Sequence, residues 1–348
     1  MLKEIVLLRP LAIFLLIVYH TFACYAGAWK PFDGFVKNEF YGLIAKTNEF
    51  VPALFAFVAG FVFSFQMNEN QSICNLRSLA IKKLRRLILP SIIFSGLYIT
   101  MFTPENFSSI EKTVTSILSG AGHLWFLPML FWCFILGYLL SKWDISEYKK
   151  LILLLICAIL GWIGKALHLQ FGLSRVLFYL IFFYGGYVLY MNKQKIDCGR
   201  GRTAALSCVC VILAALYFIL NSVKIDMSTL NLDVSEKVAR IIILSMNNLI
   251  RVVAYSITIH ILFVLVNYWL AKHPEWQPSE PLLNINALCM GIYVIHQFVL
   301  QLFYYYTNIA IAVSPIILPW IVMALTVIIS ILLSYIYKKI HESLYLNI

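Results

Sequence analysis

The sequence predicts an all-α, polytopic transmembrane helical bundle of about ten spans, with both termini in the cytoplasm. Three observations predict it. Hydrophobic residues make up 61% of the 348 positions and charged residues only 12%, about half the charged share of a soluble domain. The apolar residues come in runs long enough to cross a hydrocarbon core of about 30 Å as helices. The charges collect between those runs. Backbone polar groups in hydrocarbon need internal partners, which leaves helices or closed barrels, and the short alternating segments of a barrel do not occur.

Apolar runs broken by charge, proline and glycine place spans at 5–26, 50–67, 87–103, 123–141, 151–167, 175–192, 203–222, 241–270, 287–306 and 315–337. The first carries Arg9 and His20. Ala26-Gly27-Ala28 resembles a signal-peptide cleavage site, but the length of the run and its internal arginine suit a retained span. The second is rich in phenylalanine. The third enters at Leu87-Ile88-Leu89-Pro90 behind the basic cluster Lys82, Lys83, Arg85 and Arg86, and the fourth opens on His123. The eighth, which contains Arg251, is too long for one perpendicular crossing, so it tilts or continues beyond the membrane. The ninth contains Gly291 to His296. No repeat, low-complexity stretch or separate soluble domain interrupts the pattern, so residues 1–348 are expected to form one transmembrane domain.

Orientation follows from the basic residues of alternate loops. Sixteen lysines and arginines fall in the loops and ends on the side of both termini, and nine on the other side, which places the termini in the cytoplasm. The outward loops at about 27–49, 104–122 and 223–240 are the longest and suit a substrate entrance. The formal net charge of +11 is therefore a matter of topology, and no nucleic-acid partner is expected. Of the eight cysteines, Cys24, Cys133, Cys157, Cys208, Cys210 and Cys289 fall in or beside apolar runs without CxxC spacing. They read as small buried hydrophobes, and no metal site is expected.

Ionisable groups within a span are functional suspects, because burying them costs several kcal/mol. Arg9 and His20 are eleven positions apart, and eleven steps of 100° return to within about 20° of the start. Both therefore share one face of the first helix, about 16 Å apart along its axis. A neutral imidazole in such a place suits a general base. Equally, Arg9 could snorkel to the headgroups while His20 bonds a neighbouring helix. The cluster Lys82 to Arg86 could pin topology, bind anionic lipid or clamp the phosphates of a cytosolic donor. His123, in the segment that includes Trp125, and His296, which follows Tyr293, each read singly as polar groups between helices or as substrate-cavity residues. Arg251, deep in its span, should face a polar cavity.

Taken together these segments resemble the membrane acyltransferase-3 family, which includes bacterial O-acetyltransferases of surface polysaccharides. Arg9 and His20, with ten residues between them, match the pair that defines the family. Leu54 to Phe61 resembles its Phe-rich Ser-Gly-Phe segment, with Ala59 in place of the serine. His123 to Leu127, and the Gly-x-Tyr-x-x-His element at Gly291 to His296, match further segments. The family's arginine pair, spaced by two residues, is represented by Lys83 and Arg86. The likeness runs from residue 7 to about 338.

The resemblance implies an enzyme of the bacterial inner membrane. Acetyl-CoA would dock on the cytoplasmic side as co-substrate, with Lys83, Arg85 and Arg86 as its binding residues. The acyl group would end on a hydroxyl of a glycan or lipid-linked saccharide outside, the membrane part acting alone or with partners. His20 would deprotonate that hydroxyl or carry the acyl group transiently, and Arg9 would hold the donor or stabilise charge. His123, Trp125, Arg251, Tyr293 and His296 would line the substrate cavity. Two other classes compete: a transporter or flippase using Arg9, His20 and Arg251 as path-lining charges, and a haem protein with His20 and His296 as axial ligands. No inverted repeat favours the first, and no spacing demands the second.

Overall fold

The computed structural model of the protein describes residues 2–69, 75–192 and 236–345. Its helices are α1 (Lys3–Thr21), α2 (Glu39–Thr47), α3 (Val51–Asn68), α4 (Leu76–Lys83), α5 (Leu89–Phe102), α6 (Ile110–Ser119), α7 (Phe126–Lys142), α8 (Glu147–Ile159), α9 (Trp162–Ala166), α10 (Leu173–Met191), α11 (Glu236–Lys272), α12 (Glu280–Tyr305), α13 (Ile309–Ala312) and α14 (Leu318–Tyr345). A π-helical turn, Leu84–Ile88, joins α4 to α5. Among the described residues there is no strand.

Among the described residues, eight stretches of helix are long and apolar enough to cross a membrane: Lys3–Thr21, Glu39–Asn68, Leu76–Phe102, Gly122–Lys142, Leu173–Met191, Ile241–Lys272, Glu280–Tyr305 and Leu318–Lys339. Two of the ten expected spans have no counterpart among them. The one at 203–222 lies outside the described residues. The one at 151–167 is divided into α8 and α9, because Asn248 Nδ2 donates to the carbonyls of Ala158 and Ile159, each at 3.2 Å. Those carbonyls are thus satisfied from outside the helix, as helix ends require.

Local signals set several boundaries. Asn38 caps α2, its side chain accepting from the backbone N–H of Phe40 and Tyr41 at 3.0 and 3.3 Å. Ser109 caps α6 in the same way. Proline opens α12 in the first turn, where its missing N–H costs nothing, whereas Pro90 follows directly on the π-helical turn within a continuous helical run. The first span ends at Thr21, short of the expected 26, because the chain beyond it turns into an aromatic cluster.

The chain divides into two compact units, one of residues up to Pro52 with those from Trp269 onward, the other of Ala53–Tyr268. In the first unit α1 packs on α12 and α12 on α14. Gly291 of α12 makes the second approach close: a Cβ there would lie 2.8 Å from Ser334 Oγ of α14. In the second unit α10 packs on α7, α8 and α9. Two glycines let the backbones of α3 and α10 touch. A Cβ on Gly60 would be 1.8 Å from the Phe183 carbonyl oxygen, and one on Gly186 would be 2.1 Å from that of Phe57. Small residues at helix contacts are the usual device for packing within lipid.

Candidate active site

Arg9 and His20 both turn toward α12. Arg9 Nη1 donates to Asn286 Oδ1 at 3.5 Å, and Asn286 Nδ2 donates to the Ile5 carbonyl at 3.5 Å, both long for hydrogen bonds. Further along, the His20 imidazole lies 5.1 Å from that of His296, with the rings at 75°. Asn286, Cys289, Tyr293 and His296 follow a three-four-three spacing that places them on one face of α12. Arg9 pairs with the lower end of that face and His20 with its upper end, so α1 and α12 run parallel. Arg9 and His20 are each half-buried.

His296 is fully buried. Its Nδ1 lies 2.7 Å from the Tyr293 carbonyl and 3.2 Å from that of Ile292. Carbonyl oxygens only accept, so Nδ1 is the donor, and in a neutral ring the lone pair is then on Nε2. The helix itself thereby chooses the tautomer. The Tyr293 ring lies 6.1 Å from that imidazole.

The segment after α1 closes over this end of the pair. The Trp29 ring lies 5.6 Å from His20, and Tyr19 flanks His20 at 5.0 Å. Phe32 stacks on Tyr304 at 4.7 Å and 10°. Tyr304 Oη donates to the Thr21 carbonyl at 2.9 Å, and Tyr305 Oη to the Lys30 carbonyl at 2.6 Å. The last turn of α1, with His20 in it, is thus anchored to the far end of α12. Phe22, Tyr25, Tyr41 and Val322 complete the surrounding apolar cluster.

A family model described as an acyltransferase domain, Acyl_transf_3, matches residues 2–337. The chain belongs to the acyltransferase-3 family. No curated protein and no solved structure matches it. With its apolar helices, this member of the family is a membrane acyltransferase. The matched range covers parts of both compact units, so the family's domain is not confined to either.

The other residues singled out from the sequence of this acyltransferase belong to the second unit. The basic segment straddles the end of α4 and the π-helical turn. Lys82, Arg85 and Arg86 are exposed there, whereas Lys83 is half-buried with its ammonium 3.5 Å from the centre of the Phe134 ring on α7. The paired basic residues thus have different surroundings. In the 3-10 turn just before α7, His123 is buried and its ring lies 6.3 Å from that of Tyr98 on α5. Gly122, at φ +57°, leaves the space that the Tyr98 ring fills, and the Ala121 N–H donates to Ser95 Oγ at 3.0 Å.

Trp125 lies under the Arg175 guanidinium, 3.9 Å from it, and 5.6 Å from the Tyr179 ring. Arg251 rests on Phe178 of α10, 5.1 Å from its ring, and its Nε donates to Tyr255 Oη at 3.2 Å. It is half-buried, with the Phe178 and Tyr255 rings beside its guanidinium. Sequence reasoning missed Asn286, Trp29 and Arg175. A polar residue in step with Tyr293 and His296 could have flagged Asn286. Trp29 and Arg175 carried no such signal, since one lies in a loop and the other counted only as a topological charge.

Proposed function

We propose that this acyltransferase moves an acyl group, acetyl in the simplest case, from a coenzyme A thioester to a hydroxyl of a cell-surface or lipid-linked glycan. It would do so in the inner membrane of a bacterium, with both termini cytoplasmic. The observation that carries the reading is the placement of His20 against His296 on a face of α1 that also carries Arg9.

A sugar hydroxyl is a weak nucleophile at neutral pH and needs a base. In the proposed step the hydroxyl proton passes to the His20 imidazole as the oxygen attacks the thioester carbonyl. The carbon–oxygen bond forms, the carbon–sulfur bond breaks, and His20 returns the proton to the departing thiolate. Two features favour the cation that His20 becomes during this step: its place in the last turn of α1, where the helix dipole stabilises positive charge, and the aromatic faces beside it. His296, its tautomer set by the Tyr293 carbonyl, acts as a positioning residue for that ring.

Distance separates the role of Arg9 from that of His20. About 16 Å of helix lies between them, too far for both to touch one reacting carbonyl. Arg9 therefore holds a remote part of a substrate. The exposed guanidinium groups of Arg85 and Arg86 fit the phosphates of coenzyme A, and Lys83, resting on Phe134, contributes less.

The test is mass spectrometry of surface glycans from cells carrying the wild-type or the His20→Ala chain. An alkali-labile acyl mass present with the first and absent with the second is the expected result. Glycan retained inside the cell would instead indicate a transporter. Radiolabelled acetyl-CoA without acceptor separates the two uses of His20, since a base leaves the protein unlabelled whereas an acyl carrier becomes labelled.

A further inference from the structure

The segment between α1 and α2 holds an indole beside His20. Trp29 is half-buried, its ring centre 5.6 Å from that of the imidazole and tilted 48° to it. At that angle the two rings form a corner instead of stacking face on face.

Both chain neighbours of Trp29 are held in place. On one side Gly27, at φ +73°, reverses the chain, and the Ala28 N–H donates to the Ala23 carbonyl at 3.0 Å. On the other, the Lys30 carbonyl accepts from Tyr305 Oη at 2.6 Å, and Pro31 restricts Lys30 to extended backbone. Phe32 then stacks on Tyr304, and at Gly34 the chain comes so close to α13 that a Cβ would lie 3.2 Å from the Ala310 carbonyl oxygen. A ring fixed in advance costs little ordering when a ligand arrives.

The polar edge of this indole also differs from that of its counterparts. Trp132, Trp162 and Trp320 donate from Nε1 to the Phe171 carbonyl, Ser245 Oγ and Tyr41 Oη at 3.0, 3.0 and 3.3 Å. Among the described residues, no group accepts from Trp29 Nε1. A partly buried indole in this state offers a ligand an apolar face and a hydrogen-bond donor together.

We propose that Trp29 seats the acceptor: a pyranose lies with a C–H face on the indole and turns a rim hydroxyl toward His20. This deepens the acyl-transfer reading above and rests on it. Hydroxyls of a pyranose radiate mainly from the rim, while C–H bonds populate its faces and carry a slight positive charge that suits the negative face of an aromatic ring. An open-chain polyol has no such face. The corner between indole and imidazole sets the rim of a stacked sugar beside the base, and a second rim oxygen can accept from Nε1. On the orientation proposed above, this segment follows the first span and faces outward, where a surface glycan lies.

Calorimetry on the full chain in a neutral detergent, titrated with cellotetraose and no acyl donor, reads the seat directly. Saturable binding is expected, weakened about tenfold by Trp29→Leu, a loss of the size of one aromatic contact. Trp29→Phe keeps a ring face and should retain more binding than Trp29→Leu, which keeps only apolar bulk. Sorbitol, which has no ring, should give no saturable heat. With radiolabelled acetyl-CoA as donor, Trp29→Leu should raise KM for cellotetraose about tenfold and leave KM for the donor unchanged, which also shows that the fold is intact.

Heat that does not saturate in the wild type, equal binding by wild type and Trp29→Leu, or binding by Trp29→Phe as weak as that of Trp29→Leu overturns the proposal. Equal losses of kcat with cellotetraose and with glycerol as acceptors, at constant KM, overturn it too, because they would make Trp29 a cover over His20. Saturable binding that depends on Trp29, without acetyl transfer to any acceptor, would fail the acyl-transfer reading and still leave a sugar-binding site at Trp29.

Discussion

The His296 imidazole stands 5.1 Å from the His20 imidazole at 75°, although one residue comes from the first helix of the chain and the other from α12. Parallel packing of α1 on α12 produces the pair, and the Tyr293 carbonyl sets the orientation and tautomer of its buried member. A base gains from such a neighbour because a ring held in one orientation does not have to be ordered during the reaction.

Replacing His20 by alanine should lower acyl transfer by about 10²–10⁴-fold, the usual contribution of a general base. Membrane insertion and yield should be unchanged. Transfer of radiolabelled acetyl in isolated membranes measures the first, and immunoblotting the second. Wild-type rates in His20→Ala would remove the residue from the chemistry.

His296 separates positioning from bulk. His296→Asn can still donate to the Tyr293 carbonyl, whereas His296→Phe keeps the ring volume and loses the donor. If orientation is the role, the asparagine variant should keep more kcat than the phenylalanine variant, with similar KM for both substrates. The reverse order would indicate a packing role.

Arg9→Ala should raise KM for one substrate more than it lowers kcat, because about 16 Å of helix separates it from His20. Asn286→Ala should move the same parameter less, since its contact to Arg9 is long at 3.5 Å. A collapse of kcat at constant KM would place Arg9 at the reacting atoms instead.

The phosphate-clamp reading predicts unequal effects in the basic segment. Arg86→Ala should raise KM for the acyl-CoA donor more than Lys83→Ala does, because the Lys83 ammonium is already engaged 3.5 Å from the centre of the Phe134 ring. Equal effects in steady-state kinetics would reject the distinction between them.

Close backbone contact between α3 and α10 predicts that Gly60→Ala destabilises the protein by about 1–3 kcal/mol, as overpacking does. The added methyl would stand 1.8 Å from the Phe183 carbonyl oxygen. Gly185→Ala is the control: nothing lies within 4 Å of its added Cβ, so helix propensity alone should make it neutral or slightly stabilising. Thermal unfolding followed by intrinsic fluorescence reads both.

Much of this arrangement was legible before any coordinates. The helical, membrane-spanning character follows from composition, and the common face of Arg9 and His20 follows from the 100° turn per residue. Gly291, Tyr293 and His296 were recognisable as a motif, though its partner was not. The division of the expected fifth span was hidden, because it depends on the Asn248 amide reaching two carbonyls about ninety positions away in the chain. The early end of the first span was hidden too: the Thr21 carbonyl is taken by Tyr304, 283 positions distant.

From sequence alone came the solvent each helix must face, the acyltransferase-3 motifs and the stripe on α1, since these depend on residue type and local periodicity. Tertiary structure alone decided what meets that stripe. Arg9 finds Asn286 across a separation of 277 positions, and His20 finds His296 and Trp29, through the parallel packing of α1 on α12 and the aromatic turn that follows α1. Nothing in a single apolar helix specifies its neighbour, because lipid is as apolar as any packing partner. Close-packed glycines, side-chain amides and tyrosine hydroxyls make that choice, and they act only once the chain has folded.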